Sequence, residues 1–158
     1  MTDNAKSNEQ EQKRPIFDIA RIYNKDISLE VPNAPEVFKT LDKWTPEVKL
    51  DLDLKSEDLG ENFYESTLRI TVTVTNEEKV AFLCEVSQSA IVHVENIPLE
   101  QALNIIAPTF TFPYAREVIS SLVNKASFPP LNLAPINFEA LYIQRKQQEE
   151  AAKAEEKA

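Results

Sequence analysis

The sequence predicts an α+β fold: a four-stranded antiparallel sheet with two principal helices packed on one of its faces. In the first part of the chain, apolar side chains recur at every second position, as in strands with one buried face. After Val94 the apolar period changes to about 3.6 residues, which is typical of amphipathic helices. Strands that come first and helices that follow are the order of an α+β fold.

The chain opens with residues 1–15, which carry no apolar run and are predicted to be a disordered tail without a signal peptide. Ile16 to Glu30 is rich in Ile, Phe and Tyr and is predicted to be the first strand. Alternation gives this strand two faces, with Asp26, Ser28 and Glu30 on one and Ile27 and Leu29 on the other. Prolines end the strand, and Glu36 to Leu41 is predicted to form a short helical turn.

The middle of the chain predicts two more strands. Val48 to Leu54 has the most regular alternation, with four apolar side chains facing inward: Val48, Leu50, Leu52 and Leu54. Residues 56–62 hold the only glycine and are predicted to form a loop. Tyr64 to Val74 is the predicted third strand, and residues 75–78 form a hairpin loop into the fourth.

The fourth predicted strand, Val80 to Val94, is the one around which the sheet is organised. Its even-numbered side chains are predicted to be buried, and its odd-numbered side chains are predicted to face water. Leu83 breaks this rule, because it is a large apolar residue on the wet face, two residues before Glu85. A solvated face explains the carboxylate alone, but an exposed leucine beside it favours a binding surface.

The main helix is predicted to start near Pro113, after a short helix that Asn96 caps and Pro108 ends. One side of the main helix carries an apolar stripe for the sheet: Ala115, Val118, Ile119, Leu122 and Val123. The opposite side is small and polar at Ser120, Ser121 and Asn124.

The last third of the chain ends in a second principal helix. Three prolines predict an extended conformation for residues 128–135, and Asn137 is a good cap for the helix that follows. Residues 149–158 are charged, with nothing to bury, and are predicted to be a tail. A single domain is therefore expected over residues 16–148.

Composition favours an acidic cytoplasmic protein. The 158 residues carry a formal net charge of −9, which disfavours nucleic acid and anionic membranes as partners and favours a basic protein surface. No stretch approaches the roughly 18 apolar residues of a membrane helix, so we expect no membrane insertion. The single cysteine, Cys84, excludes an internal disulfide and suits a reducing compartment.

The sequence offers no catalytic residue, metal ligand set or cofactor motif, and the protein is predicted not to be an enzyme. One glycine excludes a phosphate-binding loop, and one histidine, His93, cannot build a metal site. Asp51 and Asp53 are explained by a solvated strand face, and Cys84 has no neighbouring cation to activate it. A structural or regulatory oligomer that binds one folded partner remains an alternative, as does an enzyme with an unrecognised site.

Five stretches resemble the SecB family of bacterial secretion chaperones, in the family's own order. The similarity is carried by long blocks, KDISLE, FPYARE and LNLAPINFEAL, within residues 22–38, 44–54, 81–91, 112–123 and 128–142. The chain departs from the family at Asn104 to Phe110, where a cysteine-containing segment is common, and near Ser89, where many members carry glycines.

The resemblance implies a dimer of dimers that acts as an ATP-independent holdase in the cytoplasm of a Gram-negative-type bacterium. It implies that unfolded precursor proteins are kept competent for export and are delivered to the translocation motor SecA. The implied SecA-binding surface combines three carboxylates and a leucine: Asp26, Glu30, Leu83 and Glu85.

A hydrophobic groove for unfolded clients is also implied by the resemblance. Position along the chain assigns it to four aromatic residues at element ends or in the crossover and to two aliphatic residues of the neighbouring strand: Trp44, Phe128, Phe138, Tyr142, Val48 and Leu50. The alternative for these aromatic residues is that they close the core, and composition alone does not decide between the two.

Overall fold

The computed structural model describes residues 13–157, and it forms one four-stranded antiparallel sheet in the order β1-β4-β3-β2. The strands are β1 (Ile16–Glu30), β2 (Glu47–Gly60), β3 (Phe63–Asn76) and β4 (Lys79–Glu95). The helical segments are a 3-10 helix (Glu36–Lys43), α1 (Leu99–Gln101), a π-helical turn (Ala102–Ile106), α2 (Ala107–Lys125) and α3 (Phe138–Glu156). The predicted α+β class is confirmed, whereas the dimer of dimers stays a prediction.

Both predicted tails reach beyond the described part of the chain. Residues 1–12 of the N-terminal tail and residue 158 of the C-terminal tail lie outside it. Within it, the predicted charged tail belongs to α3, which continues to Glu156 with its side chains exposed.

The core lies between the inner face of the sheet and α2. Ile70 and Val86 from the central strands are fully buried beneath Ile119 of the predicted helical stripe. A second, smaller cluster at the other end of the sheet joins Val92 to Ala102 of the π-helical turn. Burial of this apolar surface, at about 25 cal/mol per Å², is what holds the helices on one face of the sheet.

The outer face of β4 is drier than the alternation predicts. The odd-numbered residues are predicted to face water, but Ser87 and Ser89 are buried. Ala81 lies at a register shift with β3 and packs into the inner core cluster instead. The strand lies between β1 and β3, and Tyr23 and Lys25 of β1 reach across it to Glu65 of β3. Thr67 of β3 and Ser89 share a hydroxyl–hydroxyl bond of 2.7 Å, which satisfies both groups.

The predicted loop over residues 56–62 is wrong, because β2 continues to Gly60. Residues 55–58 are polar and exposed on both faces, so they show no apolar alternation. A two-residue turn, Glu61 and Asn62, joins β2 to β3 with φ values of 54° and 65°. Two successive positive φ angles are those of a type I′ hairpin, which matches the twist of the strands. A hairpin is confirmed where residues 75–78 predict one, but β3 continues to Asn76, which pairs with Lys79, and the turn consists of Glu77 and Glu78.

Strand β1 contains two irregularities that the sequence pattern did not predict. The register with β4 shifts between Ile19 and Arg21 and again between Asn24 and Asp26, which leaves Ala20 and Lys25 unpaired. Each extra residue exchanges the inward and outward positions of the strand. Before the second shift, the even-numbered residues Ile22 and Asn24 face inward. After it, the even-numbered residues face outward, so Asp26, Ser28 and Glu30 share the outer face.

The helical region also differs from the prediction, because Pro108 does not end a helix. The helix runs on from α1 through the π-helical turn into α2, in which Ala107 donates its backbone N–H to the carbonyl of Ala102. A π-helical turn contains one more residue than an α-turn, and this accommodates a proline directly after it. Pro113, the predicted start, therefore lies inside α2. The predicted cap on the last helix is confirmed, since the Asn137 side chain accepts from the N–H of Ala140 at 3.0 Å.

Candidate functional site

The outer face of the sheet brings together the four residues predicted to bind SecA. The register sets Glu30 of β1 directly opposite Leu83 of β4, and Ser28 directly opposite Glu85. Asp26 lies two residues before Ser28 on the same face, opposite Ser87. Because directly opposed residues in an antiparallel pair have Cβ atoms about 5 Å apart, the four side chains form one patch. We call Asp26, Glu30, Leu83 and Glu85 the acidic surface.

Charge and exposure in the acidic surface suit a basic ligand. Asp26 and Glu30 are exposed, while Leu83 and Glu85 of the central strand are half-buried. The Glu85 carboxylate accepts a bond of 3.2 Å from the Thr71 hydroxyl, which orients it. Within residues 13–157, none of the three carboxylates forms an ion pair. Their negative charge is therefore uncompensated around an apolar centre.

A cluster of aromatic side chains lies on the opposite side of the sheet, at the 3-10 helix. Its centre is Phe128, whose ring lies 5.2 Å from Phe38, 5.7 Å from Trp44 and 4.9 Å from Phe82. Phe128 and Phe82 are buried, whereas Phe38 is 37% exposed and Trp44 is partly exposed. We call these four residues the aromatic cluster; two of its members form its floor and two reach the surface.

The predicted groove residues are distributed unequally around this cluster. Val48 and Leu50 of the edge strand β2 face inward and are 45% and 38% exposed, so helical segments leave them uncovered. Phe128 and Phe138 are 5% and 2% exposed and belong to the core. Tyr142 lies apart from the aromatic cluster, where its hydroxyl donates to the carboxylate of Glu100. The groove itself stays a prediction.

Sequence reasoning missed Phe38. Its exposed ring stacks on Phe128 and extends the aromatic surface. A signal was present, because Val37 and Phe38 are adjacent in a predicted turn, where one of the two must point away from the core. Val37 is the buried one, at 7% exposure.

The last helix closes one side of the inner face. The Arg145 guanidinium of α3 donates to the backbone carbonyl of Leu52 in β2 at 3.2 Å. Lys146 pairs with Glu100 at 2.8 Å and lies over the Tyr142 ring. These contacts hold α3 between β2 and α1. Val48 and Leu50, which precede Leu52 in β2, remain exposed.

The chemistry of the described residues is that of binding surfaces. Residues 13–157 contain no cluster of His, Cys, Asp and Glu side chains that could hold a metal ion. Burial raises the pKa of the Cys84 thiol to about 11, which keeps it protonated at neutral pH. Among these residues, no helix is both long and apolar enough to cross a membrane.

The chain has one apolar surface and one acidic surface. Together with its relatives, these surfaces define a class of protein, the protein-export chaperones. Residues 10–149 match the family model described as preprotein translocase subunit SecB. The protein-export protein SecB of Chromobacterium violaceum is 52% identical over 150 residues, which cover 92% of this chain and 99% of that protein. The chain belongs to the SecB family. Its members are chaperones and not enzymes, so the predicted role as a protein-export chaperone and the predicted lack of enzymatic activity are both confirmed.

A solved structure supports the fold independently. A SecB-like chaperone from Mycobacterium tuberculosis, determined with a peptide from the HigA1 antitoxin, superposes with a TM-score of 0.62. The match covers 76% of this chain and 90% of that one at 16% sequence identity. The architecture is thus shared where little of the sequence is.

Proposed function

We propose that this export chaperone holds unfolded precursors in the cytoplasm and passes them to SecA through the acidic surface. The observation that supports the proposal most strongly is the register of β1 and β4, with Glu30 opposite Leu83 and Glu85 beside it. The proposed ligand is the small basic, zinc-bearing C-terminal tail of SecA, as the family resemblance implies. Clients and SecA would then use opposite sides of one sheet.

Charge and apolar area have separate roles in this proposal. Unpaired carboxylates raise the rate at which a basic ligand encounters the surface, and salt screens this effect. Leu83 contributes burial once water is expelled, and apolar burial depends only weakly on ionic strength. The two contributions can therefore be separated by titrating variants at two salt concentrations.

The test measures the affinity of the zinc-loaded SecA tail by calorimetry at low and high ionic strength. Asp26→Ala and Glu85→Lys should weaken binding strongly at low salt and much less at high salt. Leu83→Gln should weaken binding by a similar factor at both. Glu149→Lys, an exposed change of the same charge on α3, is the matched control for net charge. Unchanged affinity in all three surface variants would refute the proposal.

We propose that unfolded clients bind on the inner side, along Val48 and Leu50 and across Trp44 and the exposed ring of Phe38. Extended chains would be held by apolar burial, on the order of 25 cal/mol per Å² before ordering costs. Phe128 and Phe138 would form the floor, and Tyr142 would mark the far limit near α3. Selectivity should be broad and should depend on the client being unfolded.

Trp44 is the only tryptophan and reports on this proposal directly. A saturating unfolded client without tryptophan should change its fluorescence, whereas the same client in its folded form should not. Val48→Ser combined with Leu50→Ser should weaken client holding, with unchanged affinity for the SecA tail. A constant Trp44 signal with bound client would show that clients bind elsewhere.

We propose that the working form is a dimer of dimers. Ser120, Ser121 and Asn124 line a shallow depression on the outer side of α2, and small polar residues there allow another helix to approach closely. The free edge of β1 offers backbone groups to a second copy. Sizing with light scattering should give a tetrameric mass at micromolar concentration, and a monomeric mass would refute this assembly.

A further inference from the structure

The unpaired residue of β1 next to the acidic surface is a cation. Lys25 has no partner in the β4 register and lines the same depression of the outer face as Asp26. A lysine next to Asp26 would neutralise the carboxylate and repel a basic ligand. In the structure, however, the Lys25 ammonium lies 2.5 Å from the carboxylate of Glu65 in β3.

The environment of Glu65 favours its ion pair with Lys25. Its side chain is only 15% exposed, and it accepts from Lys25 and also from the Tyr23 hydroxyl of β1. These two hydrogen bonds, that of Lys25 first, lower the pKa of Glu65, so the carboxylate is charged at neutral pH. The contact reaches across β4 from β3 to β1.

A second cation near Asp26 is held away in the same manner. Asp26, Ser87, Arg69 and Asp53 lie in one row across the four strands of the sheet. Arg69 pairs with Asp53 on its far side at 3.3 Å, and Asp26 forms no ion pair with any residue between 13 and 157. Both neighbouring cations are thus directed away from the acidic surface.

We propose that Glu65 is a positioning residue for partner binding: it holds Lys25 away from Asp26 and so leaves the acidic surface open to a basic peptide. This inference rests on the proposed function, since it requires that the acidic surface binds a basic ligand. The competing explanation is purely structural, with Glu65 serving only to fix the irregularity of β1. The two differ in what happens when both Lys25 and Glu65 lose their charge.

The experiment is a double-mutant cycle with the zinc-loaded SecA tail as the probe, at low salt. Glu65→Gln keeps the shape and an acceptor for Tyr23 but releases Lys25, and should weaken binding about two- to fivefold, the range of an exposed charge pair. Lys25→Gln alone should bind at least as tightly as the wild type. Combining Lys25→Gln with Glu65→Gln should restore wild-type affinity, because no cation is left to compete for Asp26.

A structural role predicts another pattern, in which the double variant binds no better than Glu65→Gln. That pattern, or unchanged affinity in Glu65→Gln, would overturn the inference. Asp26→Ala, measured in parallel, separates the two levels of the argument. If Asp26→Ala weakens binding and Glu65→Gln does not, the inference alone fails; if neither does, the proposed function fails as well.

Discussion

Truncation of Phe128 should destabilise the protein far more than truncation of Phe38, an exposed member of the aromatic cluster. Its ring contacts three other rings and is 5% exposed, although it lies in an irregular segment after α2. A phenylalanine of about 200 Å² that is fully removed from water contributes about 5 kcal/mol at 25 cal/mol per Å². The remaining methyl group and a compact unfolded state reduce this figure, so we expect Phe128→Ala to lower the free energy of unfolding by about 3–4 kcal/mol.

Urea denaturation followed by Trp44 fluorescence measures this loss, with every variant at the same protomer concentration because association shifts apparent stability. Phe38→Ala is the matched control, since Phe38 contacts the same ring but is 37% exposed. We expect a loss of about 1–2 kcal/mol there, because less area is buried. Equal losses at the two positions, or a loss below about 1 kcal/mol at Phe128, would refute its assignment to the floor of the cluster.

Two further predictions follow from titratable groups. Because burial raises the pKa of Cys84 to about 11, Ellman's reagent at pH 8 should label the native thiol only as fast as the protein unfolds, whereas immediate labelling would contradict its burial. The pKa of Glu65 is lowered in the folded protein, so its contribution to stability is present at neutral pH and is lost as the pH falls below its ordinary value of 4.5. Urea midpoints of Glu65→Gln and wild type should therefore converge on acidification, and a constant difference would show that the charge of Glu65 is irrelevant.

Much of the sheet could be predicted because one of its faces is dry. Val48 to Leu54 and Val80 to Val94 alternate with the period of a strand, and the structure confirms both as strand. The signal disappears where both faces are wet, which is why the sequence pattern at the end of β2 predicts a loop. The alternation also changes phase at Ala20 and at Lys25. The sequence does not predict these changes, because a single unpaired residue leaves no mark in composition.

The acidic surface was accessible to sequence reasoning through Leu83, but its supporting groups were not. Glu65 and Lys25 are forty residues apart, and nothing local relates them before the register of three strands is known. For Phe128 and Phe138 the local sequence is ambiguous, because an aromatic ring beside prolines is equally compatible with a groove and with a core. Only the rings stacked around Phe128 decide that it is buried.

The two irregularities of β1 also give its free edge a selectivity of its own. A regular strand that adds to this edge would lose the register of its backbone hydrogen bonds at Ala20 and again at Lys25. A copy of β1 rotated by half a turn about an axis between Ile22 and Tyr23 would instead set Ala20 against Lys25, so that the interruptions coincide. The register of β2 with β3 is continuous from Glu47 to Asp58, so the edge of β2 has no such irregularities there. The geometry of the β1 edge therefore favours a second copy of β1 over a regular strand, whereas the β2 edge sets no such requirement on an added strand.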